Sequence, residues 1–316
     1  MLPPYEIYKM NQRHSRPPLI LILYPITLIM VFSACSRVPT PASGGKLGVL
    51  ATTSIVGDVV NQVGGDYINM TVLMPVGTDP HDFQPRPQDA AALSNTRIIF
   101  SNGAGLEGFL QPMLVSTGAT GKLIEVSVGI SLLALPGSNQ STDDPHTWMD
   151  PNNVIIWTQT IAAALSAADP ERATIYQANA EAYAASLRDL DTWIRTEVAQ
   201  IPLQNRRLVS DHAVLGYFAN QYGFTQEGTI TGSFSSEAAP SAQELAALED
   251  KIRQTGVRAL FVSEAINQTL ADQVAADTGI KAVWIYHASL TAPGGPAASY
   301  LEFMRYNVNA IVGALK

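Results

Sequence analysis

Five histidines occur in the chain, and two of them share one setting. Asp79-Pro80-His81 and Asp144-Pro145-His146 each place a carboxylate two residues before an imidazole in a proline-braced turn, and Asp211-His212 places one directly before it. Imidazole nitrogens are donors for zinc and other transition metals. His14 lies in the leader, which leaves His81, His146, His212 and His287, spaced 65, 66 and 75 residues apart. Such spacing excludes a zinc finger or a two-histidine helical face, whose ligands lie a few residues apart. What remains is one site assembled from distant loops whose backbone rigidity suits a ligand. Asp211 would either cap the following helix or orient the His212 imidazole, and Glu264 at the end of a strand-like run is a further candidate carboxylate behind the ligands.

The elements that must position these residues alternate. Residues 46–52, 67–74, 97–100 and 122–126 read as strands, and residues 55–63, 87–93 and 105–114 as helices. A second series follows, with strands at 207–210, 259–262 and 282–286 and helices opening at 213 and covering 241–255, 267–278 and 298–315. Ser241 with Glu244 makes a capping box. Alternation of this kind predicts an α/β fold of two lobes, each a parallel sheet flanked by helices, with ligands beyond the carboxyl ends of the strands. Between the two series, residues 152–166 are helical, and a second helix runs from Asp169-Pro170 to about residue 200 with no glycine or proline inside it. At 1.5 Å per residue it is long enough to join both lobes as a stiff connector. The expected segments are a leader at 1–34, a tether at 35–45, a first lobe at 46–168, the linker helix at 169–202 and a second lobe at 203–316.

The leader carries Lys9, Arg13 and Arg16 against Glu6 and an apolar run over 18–32 that is broken by Pro25 and short for a membrane span. It ends Phe32-Ser33-Ala34-Cys35. Cys35 is the only cysteine, so no disulfide forms within the chain, and its place after small residues reads as a lipid attachment point. Without the leader the formal charge goes from −8 to −10, no basic patch emerges, and nucleic acid is not an expected partner.

Several motifs in fixed order resemble those of the metal-binding lipoproteins that serve zinc and manganese ABC transporters. They are Val76-Gly77-Thr78-Asp79-Pro80-His81-Asp82-Phe83-Gln84-Pro85, Asn102-Gly103 with Leu106-Glu107, Asp144 to Pro151, Ser210-Asp211-His212-Ala213, and Glu237-Ala238-Ala239-Pro240-Ser241. The resemblance implies that His81 and His146 from the first lobe meet His212 from the second in a cleft. It also implies a monomer, anchored outside the cytoplasm by a lipid, that delivers its ion to a permease with an ATPase subunit. The family's last ligand is usually an aspartate. Here the segment is Tyr286-His287-Ala288-Ser289-Leu290, with Ala288 at that position, so either His287 substitutes or three histidines and a water hold the ion.

Three imidazoles favour Zn2+ over Mn2+, which prefers carboxylate oxygen. The histidine-rich loop common in zinc-type members is missing before His146. Two other functions compete: a zinc hydrolase, which the sequence offers no His-Glu-x-x-His to support, and an adhesin with a structural metal. Because imidazole binds metal only when neutral, affinity is expected to fall below about pH 6.5.

Overall fold

The computed structural model describes residues 45–134, 143–236, 239–263 and 267–316; the leader, Cys35, Glu237 and Glu264 lie outside them. The first series is β1 (Leu47–Ala51), α1 (Ser54–Gly64), β2 (Ile68–Val72), α2 (Pro87–Asn95), β3 (Ile98–Ser101), α3 (Leu110–Thr117) and β4 (Leu123–Glu125). Two helices follow, α4 (Pro151–Ala168) and α5 (Ala173–Val198). The second series is β5 (Arg207–Ser210), α6 (Gly216–Tyr222), β6 (Thr225–Thr229), α7 (Ala242–Thr255), β7 (Ala259–Val262), α8 (Gln268–Thr278), β8 (Lys281–Trp284) and α9 (Tyr300–Leu315). The strands form two parallel sheets, ordered β2-β1-β3-β4 and β6-β5-β7-β8.

Side chains alternate across a strand, and both sheets use the two faces differently. Val49 and Ala51 of β1 join an apolar core with α1, α4 and α5, while Leu50 between them turns to Leu93 and Leu114 under α2 and α3. In the second sheet Ala259 and Phe261 join that same large core, and Leu260 and Val262 face Leu248 and Val274 of α7 and α8. One core therefore runs from β1 through Trp157, Leu187 and Leu190 to Phe218 and Phe303. Its middle is α5, whose 26 residues span about 39 Å. The helix is pinned at both ends of its reach: Asn179 donates to the Val63 carbonyl, and Asp191 accepts from Tyr222. Leu190 is wholly buried in this core. Leu190→Ala should cost about 2–5 kcal/mol and lower the melting temperature in a single transition seen equally by far-UV and near-UV circular dichroism.

Three elements differ from the sequence expectation, each for a physical reason. Strand β6 has no sequence signal, because Thr-Gln-Glu-Gly-Thr lacks an apolar face; it is an edge strand whose register shifts opposite Leu208 and Val209. Helix α3 begins at Leu110 and not at residue 105, since Gly103, Ala104 and Gly105 all take positive φ and turn the chain before it can coil. Helix α6 begins at Gly216, the preceding residues being held in a turn in which Ala213 N–H donates to the Ser233 carbonyl.

Candidate metal centre

Each sheet presents histidines beyond its carboxyl edge. The turn carrying His81 follows β2, and Asp79 fixes it by accepting from the His81 backbone N–H at 2.9 Å. His146 precedes a 3-10 turn that leads into α4, where Asp150 caps the helix through Asn152 N–H and Pro151 takes the first helical position. His212 follows β5, and His287 follows β8.

Three of these imidazoles meet, and the fourth, His287, adjoins His212. The ligand atoms of His81, His146 and His212 all lie within 4.8 Å of one another, and a second group of the same tightness joins Asp211, His212 and His287. His81 Nε2 stands 3.2 Å from His146 Nε2. Two nitrogens bound tetrahedrally to one zinc lie roughly 3.3 Å apart, given bonds near 2.0–2.1 Å. Ring centroids of His146 and His212 are 5.2 Å apart, and those of His212 and His287 4.6 Å. His146, His212 and His287 are buried, and the Nε2 atoms of His212 and His287 have no hydrogen-bond partner. A buried polar atom without a partner is costly, and here two of them belong to adjoining rings.

Carboxylates stand behind the rings. Asp144 Oδ1 accepts from both the backbone N–H and Nδ1 of His146, the latter at 2.8 Å, and Asp211 Oδ1 makes the same pair with His212. This arrangement fixes each ring and leaves its Nε2 aimed inward. Asp211 does not cap α6; its other oxygen accepts from Ser263 N–H and Oγ. Burial raises the Asp144 carboxyl to about 7. Burial, joined by repulsion from the neighbouring imidazoles, pushes His146 well below its ordinary value. His287 is lowered to about 4 by burial, which outweighs the attraction of Asp211. Burial pushes Asp211 upward, yet His287, the bond from His212 and the donors of Ser263 together hold it below the usual carboxylate range. Both shifts oppose protonation of these two rings, and so weaken proton competition for an ion at them.

Several supporting residues take roles that the sequence did not assign them. Glu107, buried between strand ends, accepts from Thr52 Oγ1, Asn102 N–H and Gly103 N–H. Burial raises its carboxyl. Asn102 then donates to the Pro145 carbonyl, immediately before His146. Tyr217 donates to the Asp144 carbonyl, and Gly216 must be glycine because a Cβ there would fall 2.5 Å from Asp144 Oδ2. Trp148, read from the sequence as packing, also donates through Nε1 to the His287 carbonyl across the two halves, and Tyr300 Oη–H donates to the Trp148 carbonyl. Asp144→Ala should lower metal affinity about 10–100-fold in chelator competition without loss of helix content.

Residues 49–314 match the family described as zinc-uptake complex component A, periplasmic (ZnuA). The chain is 31% identical over 295 residues to the manganese-binding lipoprotein MntA of Halalkalibacterium halodurans, covering 93% of this chain and 97% of that protein. Among solved structures, the manganese-bound periplasmic metal-binding protein of Candidatus Liberibacter asiaticus aligns with a TM-score of 0.76 at 27% identity, covering 86% of this chain and all of that one. The periplasmic zinc-binding protein TroA of Treponema pallidum has the same fold, with a TM-score of 0.80 at 23% identity over 86% of this chain and 99% of that chain. Fold and sequence together define a substrate-binding protein, not an enzyme. The chain belongs to the ZnuA family of metal-binding proteins of ABC transporters. No helix among the described residues is long and apolar enough to cross a membrane.

Proposed function

We propose that this protein captures zinc outside the cytoplasm and delivers it to the permease of an ABC importer driven by a cytoplasmic ATPase. His81, His146 and His212 hold the ion and His287 closes the fourth position, in place of the carboxylate that Ala288 cannot supply. The protein works as a monomer, tethered to the outer face of the membrane by a lipid on Cys35. The observation that carries this reading is that three imidazole nitrogens converge within 4.8 Å and no carboxylate oxygen belongs to that group. All-nitrogen coordination favours zinc over manganese. Manganese is the second reading, and the name of the MntA relative and the manganese-bound structure favour it.

Isothermal titration of the metal-stripped mature protein, with elemental analysis of the protein as purified, separates the two. One-to-one zinc binding with manganese at least about a hundredfold weaker is the expected result, a gap of roughly 2.7 kcal/mol. Equal affinities, or manganese in the purified protein, establish the manganese reading instead.

A further inference from the structure

A cavity of about 610 Å³ runs along strand β6 from Gln226 to Ile230, bounded by residues of α6 and α7. Ala213, Ala219, Leu248 and Phe234 give it apolar walls, and Ala247 and Lys251 stand exposed at its rim. Apolar clefts of roughly 300–1,000 Å³ with a few polar groups are of the size that holds small organic molecules.

Two buried carboxylates line it, and they differ. Glu227 is matched by Arg207 and Lys251. Asp144 has no lysine or arginine partner among the described residues, and most of its polar atoms are engaged. Its N–H donates to the Leu133 carbonyl, its own carbonyl accepts from Tyr217, and Oδ1 accepts twice from His146. Oδ2 is left without a hydrogen bond among the described residues, although the side chain is only 2% exposed. Gly216 also lines the cavity, and because a Cβ there would fall 2.5 Å from Oδ2, glycine keeps that oxygen open to it. A buried carboxylate oxygen without a partner is costly, and a donor that brings positive charge offsets the cost best.

We propose that this cavity binds a small organic amine, its ammonium group bonded to Asp144 Oδ2 and its apolar body against Leu248 and Phe234. The charge of the walls selects a cation. Glu227 is neutralised by its own partners, and Glu244 at the rim is occupied in capping α7, which leaves the Asp144 charge for the ligand. The ammonium uses the oxygen that His146 does not, so the inference stands whichever ion the histidines hold.

Isothermal titration of the metal-free mature protein with phenethylamine, phenethyl alcohol and 3-phenylpropionate tests the site, at about pH 8, where an alkyl amine is still protonated. The amine should bind one to one and at least about tenfold more tightly than the alcohol, and the acid should not bind. Asp144→Asn retains an oxygen for the two His146 bonds and should bind amine and alcohol alike, whereas a merely structural role for Asp144 would weaken both together. Ala247→Trp, a change at the exposed rim, should remove amine binding and leave zinc affinity at the wild-type value. An amine bound no tighter than the alcohol, amine selectivity that persists in Asp144→Asn, unchanged amine affinity in Ala247→Trp, or no amine binding at all overturns the site. Should Asp144→Asn not fold, the wild-type selectivity and Ala247→Trp decide.

Discussion

His81→Ala, His146→Ala and His212→Ala should each lower zinc affinity by about a hundredfold to a thousandfold in competition with a fluorescent chelator. The size follows from the site. Four-ligand zinc sites bind with about 10–16 kcal/mol, so one ligand accounts for roughly 3 kcal/mol, and each 1.4 kcal/mol is tenfold. His146→Ala should stand at the upper end, because it also leaves the buried Asp144 carboxyl without its ring partner. Melting temperature gives an independent reading. A ligand that binds only the folded chain stabilises it by RT ln(1 + [L]/Kd), so the zinc-induced rise seen in the wild type should shrink in step with the lost affinity. Wild-type affinity in all three variants would overturn the ligand set.

The second large effect is on pH dependence. Protons and metal compete for the same nitrogen, and competition at a given ring begins only at the pKa it has in the folded, metal-free protein. Were all four rings ordinary histidines with pKa near 6.5, affinity would fall by about 10⁶ between pH 7.5 and 5.0. Burial holds His146 and His287 below their ordinary values, His287 near 4, so both stay deprotonated over most of that interval. Two of the four rings then take little part in the competition, and the loss should fall well short of that figure. A plot of log affinity against pH should have a slope well below four between pH 6 and 5. A slope near four would show that the buried rings take up protons as freely as exposed ones. For the folded metal-free chain the sign is the same: a ring whose pKa is depressed by folding destabilises the chain as pH falls from about 6.5 toward its folded value, because the unfolded chain binds the proton and the folded chain refuses it.

The sequence revealed the histidines and the alternation of elements more readily than what holds the histidines still. His81, His146 and His212 stood out because proline turns and adjacent carboxylates are local patterns, and the structure gathers them. The strands of the first sheet were legible because a parallel strand buried on both faces is a nearly unbroken apolar run, as Ile98-Ile99-Phe100 shows. Strand β6 was invisible because an edge strand needs only backbone partners, which any sequence supplies. Glu107 and Asn102 could be quoted as a motif but not given a role, since that role depends on where the Pro145 carbonyl falls, 43 residues from Asn102. The second bond of Trp148 was hidden for the same reason: its indole serves a carbonyl 139 residues away.

The shared core also bears on how such a molecule can be inherited. A crossover between relatives anywhere in α5 would join a first half to a second half that had not packed together before, and Trp157, Leu187, Phe218 and Phe303 would meet unfamiliar neighbours in a space filled to crystal density. The two small outer cores close within their own halves, one under α2 and α3 and the other under α7 and α8. Those outer layers can be exchanged piecemeal between lineages, while the inner layer passes down as one block.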